Sequence, residues 1–559
     1  MKRIRKQSPN ESLAWISLPA FLILAVLFLI PLCMTLGQAF TDGRGNFSLV
    51  TLKATFIRPY TLSVLGFTLR QALYSTLASL AIGLPGAYIL ATYRFPGKRI
   101  VKAVATVPFV LPSILVVLGF VIFYGNNGIL NRMMMAFLHK DEPVFHVLYS
   151  LGAIILAHAF YNFPVIMNLV STYWEQMDPH PEQAALTLGA SRGTIFRTIT
   201  LPRLLPAILS ASTLVFLFCY NSFAIILVLG GGPAYTTMET EIYRKARMSL
   251  DGPGAASLAL MSMLVTVLLL VLYLLLQKNL KSHEDFTNSQ HQAQPSGTLG
   301  RILVILYSVL TAVFVLGPII SVVARSFTMT TGRSGPSHWS LTWYKQLFGL
   351  LAGKDSMNSA WIALKNSMAI ALLAAFLTIP TSLSLATAVS GKGWLSSLLE
   401  LVGMLPMAVS SVIIGLGYFF IARHFPKGGY ILVVLAHLVI VIPFALRSVI
   451  PEVRKIPVQY LAAAKTLGAD RFHVFWTIEV PLLKNSLITG AMFAFALSLG
   501  ELNATLTLSD STIVTIPIVM YQLIGAYNYQ GACALGTILI IMSLVVFFVT
   551  ETLKGKEHD

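Results

Sequence analysis

The sequence predicts an all-α integral membrane protein of about twelve spanning helices, arranged as two parallel six-helix repeats. Three observations predict it. The 559 residues are 56% hydrophobic and 11% charged, with a mean hydropathy of +0.76, whereas a soluble domain carries roughly 25% charged residues. Apolar runs of about 20 residues, the length that crosses a bilayer, recur along the whole chain. One polar segment also occurs twice, as EQAALTLGASRGTIFRTITLP from Glu182 and YLAAAKTLGADRFHVFWTIEVP from Tyr460. In each copy two alanines precede a T-L-G-A turn and an I-x-[LV]-P step follows. Gly189 to Pro202 matches Gly468 to Pro481 in spacing, so the repeat unit is half the chain.

Taken in order, the first half holds spans near 13–39, 65–92, 103–124, 146–171, 206–229 and 254–277. The second holds them near 302–325, 363–389, 396–421, 429–450, 486–508 and 530–550. The first run follows the basic start MKRIRKQSPNES; it is too long for a signal-peptide core and has no small-residue cleavage site, so it reads as a retained span. The domains are then residues 1–280, with the polar segment 182–202, and residues 301–559, with the segment 460–481. A Gln- and Ser-rich stretch without periodicity, 281–300, reads as a flexible linker.

Lysine and arginine set the orientation. Lys2, Arg3, Arg5 and Lys6 begin the chain. With them inside, Arg94, Lys98, Arg99, Lys102, Arg192, Arg197 and Arg203 also fall on the cytoplasmic side, as do Arg447, Arg454, Lys455, Lys465, Arg471 and Lys484. Both repeated segments and both termini are then cytoplasmic. Six spans per half give the halves one orientation, as parallel repeats. Other landmarks repeat as well: Arg70-Gln71 with Pro85 answers Lys365-Asn366 with Pro380, and Pro108 with Gly119 answers Pro406 with Gly417.

Several functions are excluded. The net charge of +17 is placed as a topology signal, not as a nucleic-acid surface. Cys33, Cys219 and Cys533 lie in apolar runs, so buried thiols are expected and no disulfide framework. The eleven histidines are scattered without HxxxH or HExxH spacing, which gives no metal site. No GxxxxGK[ST] loop and no nucleophile constellation is present, so the chain is not an enzyme by itself.

Each repeated segment reads as a helix–turn–helix. The run E-Q-A-A-L-T-L favours a helix and Gly189 ends it. Ser191, or Asp470 in the second copy, suits the cap of a second short helix, and Pro202 or Pro481 closes the segment near the membrane. Small residues at the tip let another protein approach closely, and two such knobs suit a two-fold symmetric partner.

The A-A-x-T-L-G-A…I-x-[LV]-P pattern resembles the cytoplasmic coupling (EAA) loop of type I ABC importer permeases. The resemblance implies that family's permease fold and an ATP-driven, binding-protein-dependent importer in a bacterial inner membrane. It implies three kinds of partner: a homodimer of ABC ATPase subunits that carries the ATP, an extracytoplasmic substrate-binding protein, and lipid. No cofactor would be bound by this chain itself. It places ATPase coupling on Glu182, Gln183, Ala184, Ala185, Gly189 and Pro202, and on Ala462, Ala463, Ala464, Gly468 and Pro481. The family's glutamate position is Gln183 in one copy, with Glu182 beside it, and Ala462 in the other, a departure that weighs against an ionic contact there. A single fused chain, with GGGPAYTTMETEIY after the fifth span, resembles the ferric-iron and thiamine branch. Polyamine or phosphonate import remains open within the class, and a twelve-span secondary transporter outside it.

Intramembrane ionisable groups are functional candidates. Glu501 with Asn503, and the matched Ser222 with Tyr220 and Asn221, are therefore expected to line the translocation pathway; Glu501 could instead pair with Arg70 or Lys365. The external loops 40–64, 125–145, 230–252 and 326–362 are expected to present Asp42, Asp141, Glu142, Glu239, Glu241 and Asp251 as exposed charges where a binding protein docks.

Overall fold

A computed structural model describes residues 14–42, 45–230, 232–282, 297–330, 337–348, 355–389, 394–425, 428–509 and 513–555. The basic start and the linker stretch 283–296 lie outside these residues. The chain is nearly all helix; two three-residue strands, Thr328–Thr330 and Ser337–Trp339, are the only ones among the described residues. Among the described residues, ten helices are long and apolar enough to cross a membrane, or eleven when one bent pair counts as a span. The first span, Ala14–Ala39, adds a further apolar helix.

Seven more spans run unbroken close to their expected places: Pro59–Thr92, Leu151–Gln176, Gly252–Ser282, Gly297–Ser326, Asp355–Val389, Gly429–Lys455 and Tyr529–Gly555. The third and fifth spans of each half differ from expectation because they are broken. Lys98–Val110 stops before Leu111-Pro112, and Ser113–Tyr124 restarts. Proline's ring clashes with a helical residue before it, and Leu111 is accordingly extended, at φ −78°, ψ 143°. In the second half a 3-10 turn, Leu405–Met407, carries Pro406. The flanking helices meet at 93°, and Ser410 caps the next helix by accepting from Ile413 N–H at 3.3 Å. The fifth span ends at Tyr220 and resumes as Ala224–Leu229; its counterpart ends at Leu499 and resumes as Asn503–Leu508.

The chain folds as two compact units. Unit one holds Met1–Lys53, Ile242–Leu260 and Met329–Asp559; unit two holds Ala54–Glu241 and Met261–Thr328. Each first span therefore belongs to the unit built mostly from the other half. In unit one the first span packs on the eighth and ninth spans, and Tyr418 O–H donates to Leu27 C=O at 2.8 Å. Gly417 lies there against Pro31, whose carbonyl oxygen would sit 2.4 Å from an added Cβ. In unit two the seventh span packs on the third, and a Cβ on Gly119 would meet Pro318 Cβ at 3.0 Å. The two glycines matched by sequence do the same work, letting a proline-bearing helix approach without a side chain between.

The segment after the fifth span corrects one expectation. Glu239 is 0% exposed and Glu241 1%. Their short helix, Met238–Tyr243, folds into the protein because Met238 N–H donates to Thr68 Oγ1 at 3.0 Å and Tyr60 O–H to Glu241 Oε2 at 3.3 Å. Asp251 is also engaged, in unit one, accepting from Lys245 Nζ at 2.7 Å and Gly254 N–H at 2.9 Å. Burial raises its carboxyl, but those hydrogen bonds outweigh burial and hold it below the usual carboxylate range. Asp141 and Glu142 are exposed as expected.

Candidate coupling loops and span breaks

Both repeated segments fold to one backbone plan. In unit two, helix His180–Thr187 ends with Leu188 N–H on Ala184 C=O at 3.1 Å, Gly189 N–H on Leu186 C=O at 3.0 Å and Ala190 N–H on Ala185 C=O at 3.0 Å. Gly189 has φ +84°, so this is the left-handed glycine of a Schellman turn. In unit one, helix Val458–Thr466 ends with Leu467 N–H on Ala463 C=O at 3.1 Å and Ala469 N–H on Ala464 C=O at 3.0 Å, with Gly468 at φ +80°. Neither glycine has an atom within 4 Å of where a Cβ would stand. The requirement for glycine is therefore the backbone angle and not space.

The second helix of each copy is capped as the sequence anticipates. Thr194 N–H donates to Ser191 Oγ at 3.2 Å, and His473 N–H to Asp470 Oδ1 at 2.8 Å. A π-helical turn then follows in both copies, Phe196–Thr200 and Phe475–Glu479, and leads directly into the fifth span of each half. A π turn carries one residue more than α geometry, and such turns occur often at functional positions. Nothing in the composition of either stretch announces it.

Among the expected coupling residues, Gln183, Ala184, Gly189, Pro202, Ala462, Ala463, Gly468 and Pro481 are exposed, Ala185 is partly exposed, and Ala464 is buried at 8%. Glu182 is turned inward within its own loop, where it accepts from Thr200 Oγ1 at 2.6 Å. Arg203 fixes the loop base by donating to Asp178 C=O at 2.9 Å. The His180 backbone N–H and ring both bond the Asp178 carboxyl, which lowers its pKa. Sequence reasoning passed over the two leucines just before the glycines. Leu188 and Leu467 are each 87% exposed, an unusual state for leucine and the same in both copies. In unit one Phe472 and Trp476, exposed by 66% and 53%, extend the apolar surface.

The pathway candidates gather at the breaks of the fifth spans. In unit one Glu501 accepts from Ala504 N–H at 2.9 Å, capping the helix that resumes there, and Asn503 Nδ2 donates to Ser411 Oγ at 3.0 Å. Lys365 does not pair with Glu501; its ammonium stands 5.0 Å from the Trp361 ring centroid. The break is bracketed by a histidine that sequence reasoning left among the scattered ones. His437, 2% exposed, meets Ser498 Oγ through Nδ1 and Thr505 Oγ1 through Nε2, each at 2.8 Å. Ser498 precedes the break and Thr505 follows it. In unit two the matched residue is His158, 1% exposed, whose Nδ1 meets Ser75 Oγ at 2.9 Å. Tyr220 is fully buried at the end of that fifth span, and Asn221 and Ser222 form the break itself. Among the described residues no group of three or more His, Cys, Asp or Glu side chains could hold a metal ion.

The profile of the family described as binding-protein-dependent transport system inner membrane component matches residues 83–282 and again 378–555, so each match contains one repeated loop and one broken fifth span. Full-length similarity extends to the thiamine transport system permease protein of Brucella abortus, 28% identical over 533 residues, covering 94% of this chain and 93% of that protein. The thiamine transport system permease protein of Escherichia coli K12 is 28% identical over 502 residues, covering 89% and 90%. A putative 2-aminoethylphosphonate transport system permease protein of Salmonella typhimurium is 30% identical over 261 residues, which is 47% of this chain but 91% of that shorter one.

Proposed function

The chain belongs to the family of binding-protein-dependent transport system inner membrane components, and on that premise we propose that it is the fused, two-half permease subunit of an ATP-driven thiamine importer. The observation that carries the class is the pair of matched loops, each with a left-handed glycine, a capped short helix, a π turn and a leucine 87% exposed at its tip. Exposed apolar tips on rigid turns suit a protein partner. The coupling residues are Glu182, Gln183, Ala184, Ala185, Gly189 and Pro202, with Ala462, Ala463, Ala464, Gly468 and Pro481. Leu188 and Leu467 join them.

Thiamine is favoured over ferric iron because full-length relatives named as thiamine permeases align across nine-tenths or more of their own length. In the mechanism, a loaded binding protein docks outside while two ATPase subunits close on ATP inside. The loops move with the ATPases, and because each π turn runs straight into a fifth span, loop motion is passed to the helix that breaks at Tyr220 or Leu499. The first half, 1–280, and the second, 301–559, each supply one loop, and the pathway runs by Tyr220, Asn221, Ser222, Glu501 and Asn503.

The test uses proteoliposomes containing this chain with its ATPase and binding protein, supplied with labelled thiamine or ferric iron. ATP-dependent thiamine accumulation is expected. Iron accumulation without thiamine overturns the substrate, and thiamine movement that ignores ATP overturns the class.

A further inference from the structure

The breaks of the two fifth spans differ in what they leave unpaired. In unit one, His437 uses both ring nitrogens to join the two sides of the break. In unit two, five atoms around the break are buried and find no hydrogen-bond partner among the described residues, Gln71 Oε1, His158 Nε2, Asn162 Oδ1, Tyr220 Oη and Asn221 Oδ1, against Asn503 Oδ1 at the break of unit one. Gln71, His158 and Asn162 are 0%, 1% and 2% exposed. They form one set, since Gln71 Nε2 donates to Cys219 C=O at 2.9 Å, and Asn162 Nδ2 reaches Cys219 Sγ at 3.4 Å and His158 C=O at 3.0 Å. Each amide thus uses its donor to tie the second, fourth and fifth spans together and keeps its oxygen idle.

A buried amide oxygen without a partner is destabilising, and one such atom is no more than an accident of packing. Three amide oxygens at one helix break are a pattern. Breaks in spanning helices are where transporters expose polar groups to solutes. We propose that Gln71, Asn162 and Asn221 are a solute-contact site in unit two that reads N–H donors of a cationic amine or aminopyrimidine group. His158 adds a nitrogen able to donate or accept. The acceptors are neutral, so they orient an N–H-bearing solute without trapping it, which suits a passage and not a store. Among the described residues, unit one leaves a single amide oxygen, Asn503 Oδ1, unpaired at its break: Val441 stands where Asn162 does, and Thr505, where unit two has Ile226, completes the His437 bracket. The proposal rests on the importer reading above and adds where, and through which atoms, the permease touches its load.

The experiment measures ATP-driven uptake by the full complex, at saturating loaded binding protein, for the wild type and Asn162→Leu. Leucine is close in size and removes an unpaired buried oxygen. The substitution also removes the donor to Cys219 Sγ and His158 C=O, so a purely structural role predicts a lower melting temperature with uptake per folded complex unchanged. The solute-contact role predicts, whatever the melting temperature, thiamine uptake per folded complex down about tenfold, the worth of roughly 1.4 kcal/mol, and uptake of oxythiamine, whose amino group is replaced by oxygen, changed far less. Asn162→Ala removes the same oxygen and decides the matter if leucine does not fit. If the wild type carries no thiamine, the substrate reading fails and the same comparison is run with 2-aminoethylphosphonate, whose ammonium also donates. A variant that carries any transported N–H-bearing solute at the wild-type rate overturns this site while leaving the importer class intact.

Discussion

The two repeated loops share a backbone with its turn and cap hydrogen bonds and differ in the side-chain packing behind it. Both turn at a left-handed glycine, cap their second helix with a side-chain oxygen and pass through a π turn into a span. Yet the first holds Glu182 against Thr200, while the second has Leu461 and Glu479 at those positions, with Glu479 only 6% exposed. Phe196 is 41% exposed and its counterpart Phe475 only 5%. Under the proposed coupling role, the features kept by both copies, one backbone angle and one exposed leucine, are those a partner would read. The presented shape is common to both; the means of holding it are each half's own.

The largest expected effect comes from removing what the loops share. Valine at a φ near +80° costs about 1–2 kcal/mol and is a strained state for a β-branched residue. Gly189→Val with Gly468→Val should cut ATP-driven uptake below a tenth of wild type while the protein still inserts, because no neighbour obstructs the new side chain. Either single variant should lose a similar share. A single variant that behaves as wild type would make one loop dispensable and break the symmetry. Next come the leucines. Leu188→Asp or Leu467→Asp alters a side chain that is 87% exposed, so the melting temperature should hold within the small range of surface changes. Burying a leucine against a partner is worth roughly 1.5–3 kcal/mol, so affinity for the ATPase should fall about 10- to 100-fold for each, read by titrating purified ATPase onto the reconstituted permease. Unequal losses would sharpen the comparison by ranking the two docking points.

How much of this was legible follows from the range of each interaction. The spans and both loops were readable because hydropathy and turn chemistry are local. The breaks were half readable: Pro112 and Pro406 announce them in the third spans, but no proline marks Asn221–Phe223 or Gly500–Leu502, and the apolar residues on either side outweigh Asn221, Ser222 and Glu501 in a window average. Membership of each first span in the unit made mostly from the other half was not readable, since it depends on contacts hundreds of residues apart, such as Tyr418 with Leu27. The burial of Glu239 and Glu241 was missed for the same reason: charge in a loop reads as solvated until Tyr60 and Thr68 are known to lie beside it. One missed signal was available. The offset that carries Gly189 to Gly468 also carries His158 to His437 and Cys219 to Ser498, so the repeat itself could have singled out two histidines from eleven.

Those histidines supply the smallest and most specific contrast. His437→Leu removes two hydrogen bonds and leaves the Ser498 hydroxyl to find a new partner, whereas Thr505 still donates to Glu501 C=O at 3.1 Å. A cost of roughly 1–3 kcal/mol follows. His158→Leu removes one bond to Ser75 and also one nitrogen that has no partner among the described residues, so part of the loss is returned. The fall in melting temperature should therefore be clearly larger for His437→Leu, measured on the purified permease in one detergent so that no partner contributes. Equal falls would mean that joining Ser498 to Thr505 across the break adds nothing, and the two breaks would then be alike in rigidity. A larger fall for His437 makes unit one's break a strut and leaves unit two's break as the place where the fifth span can yield.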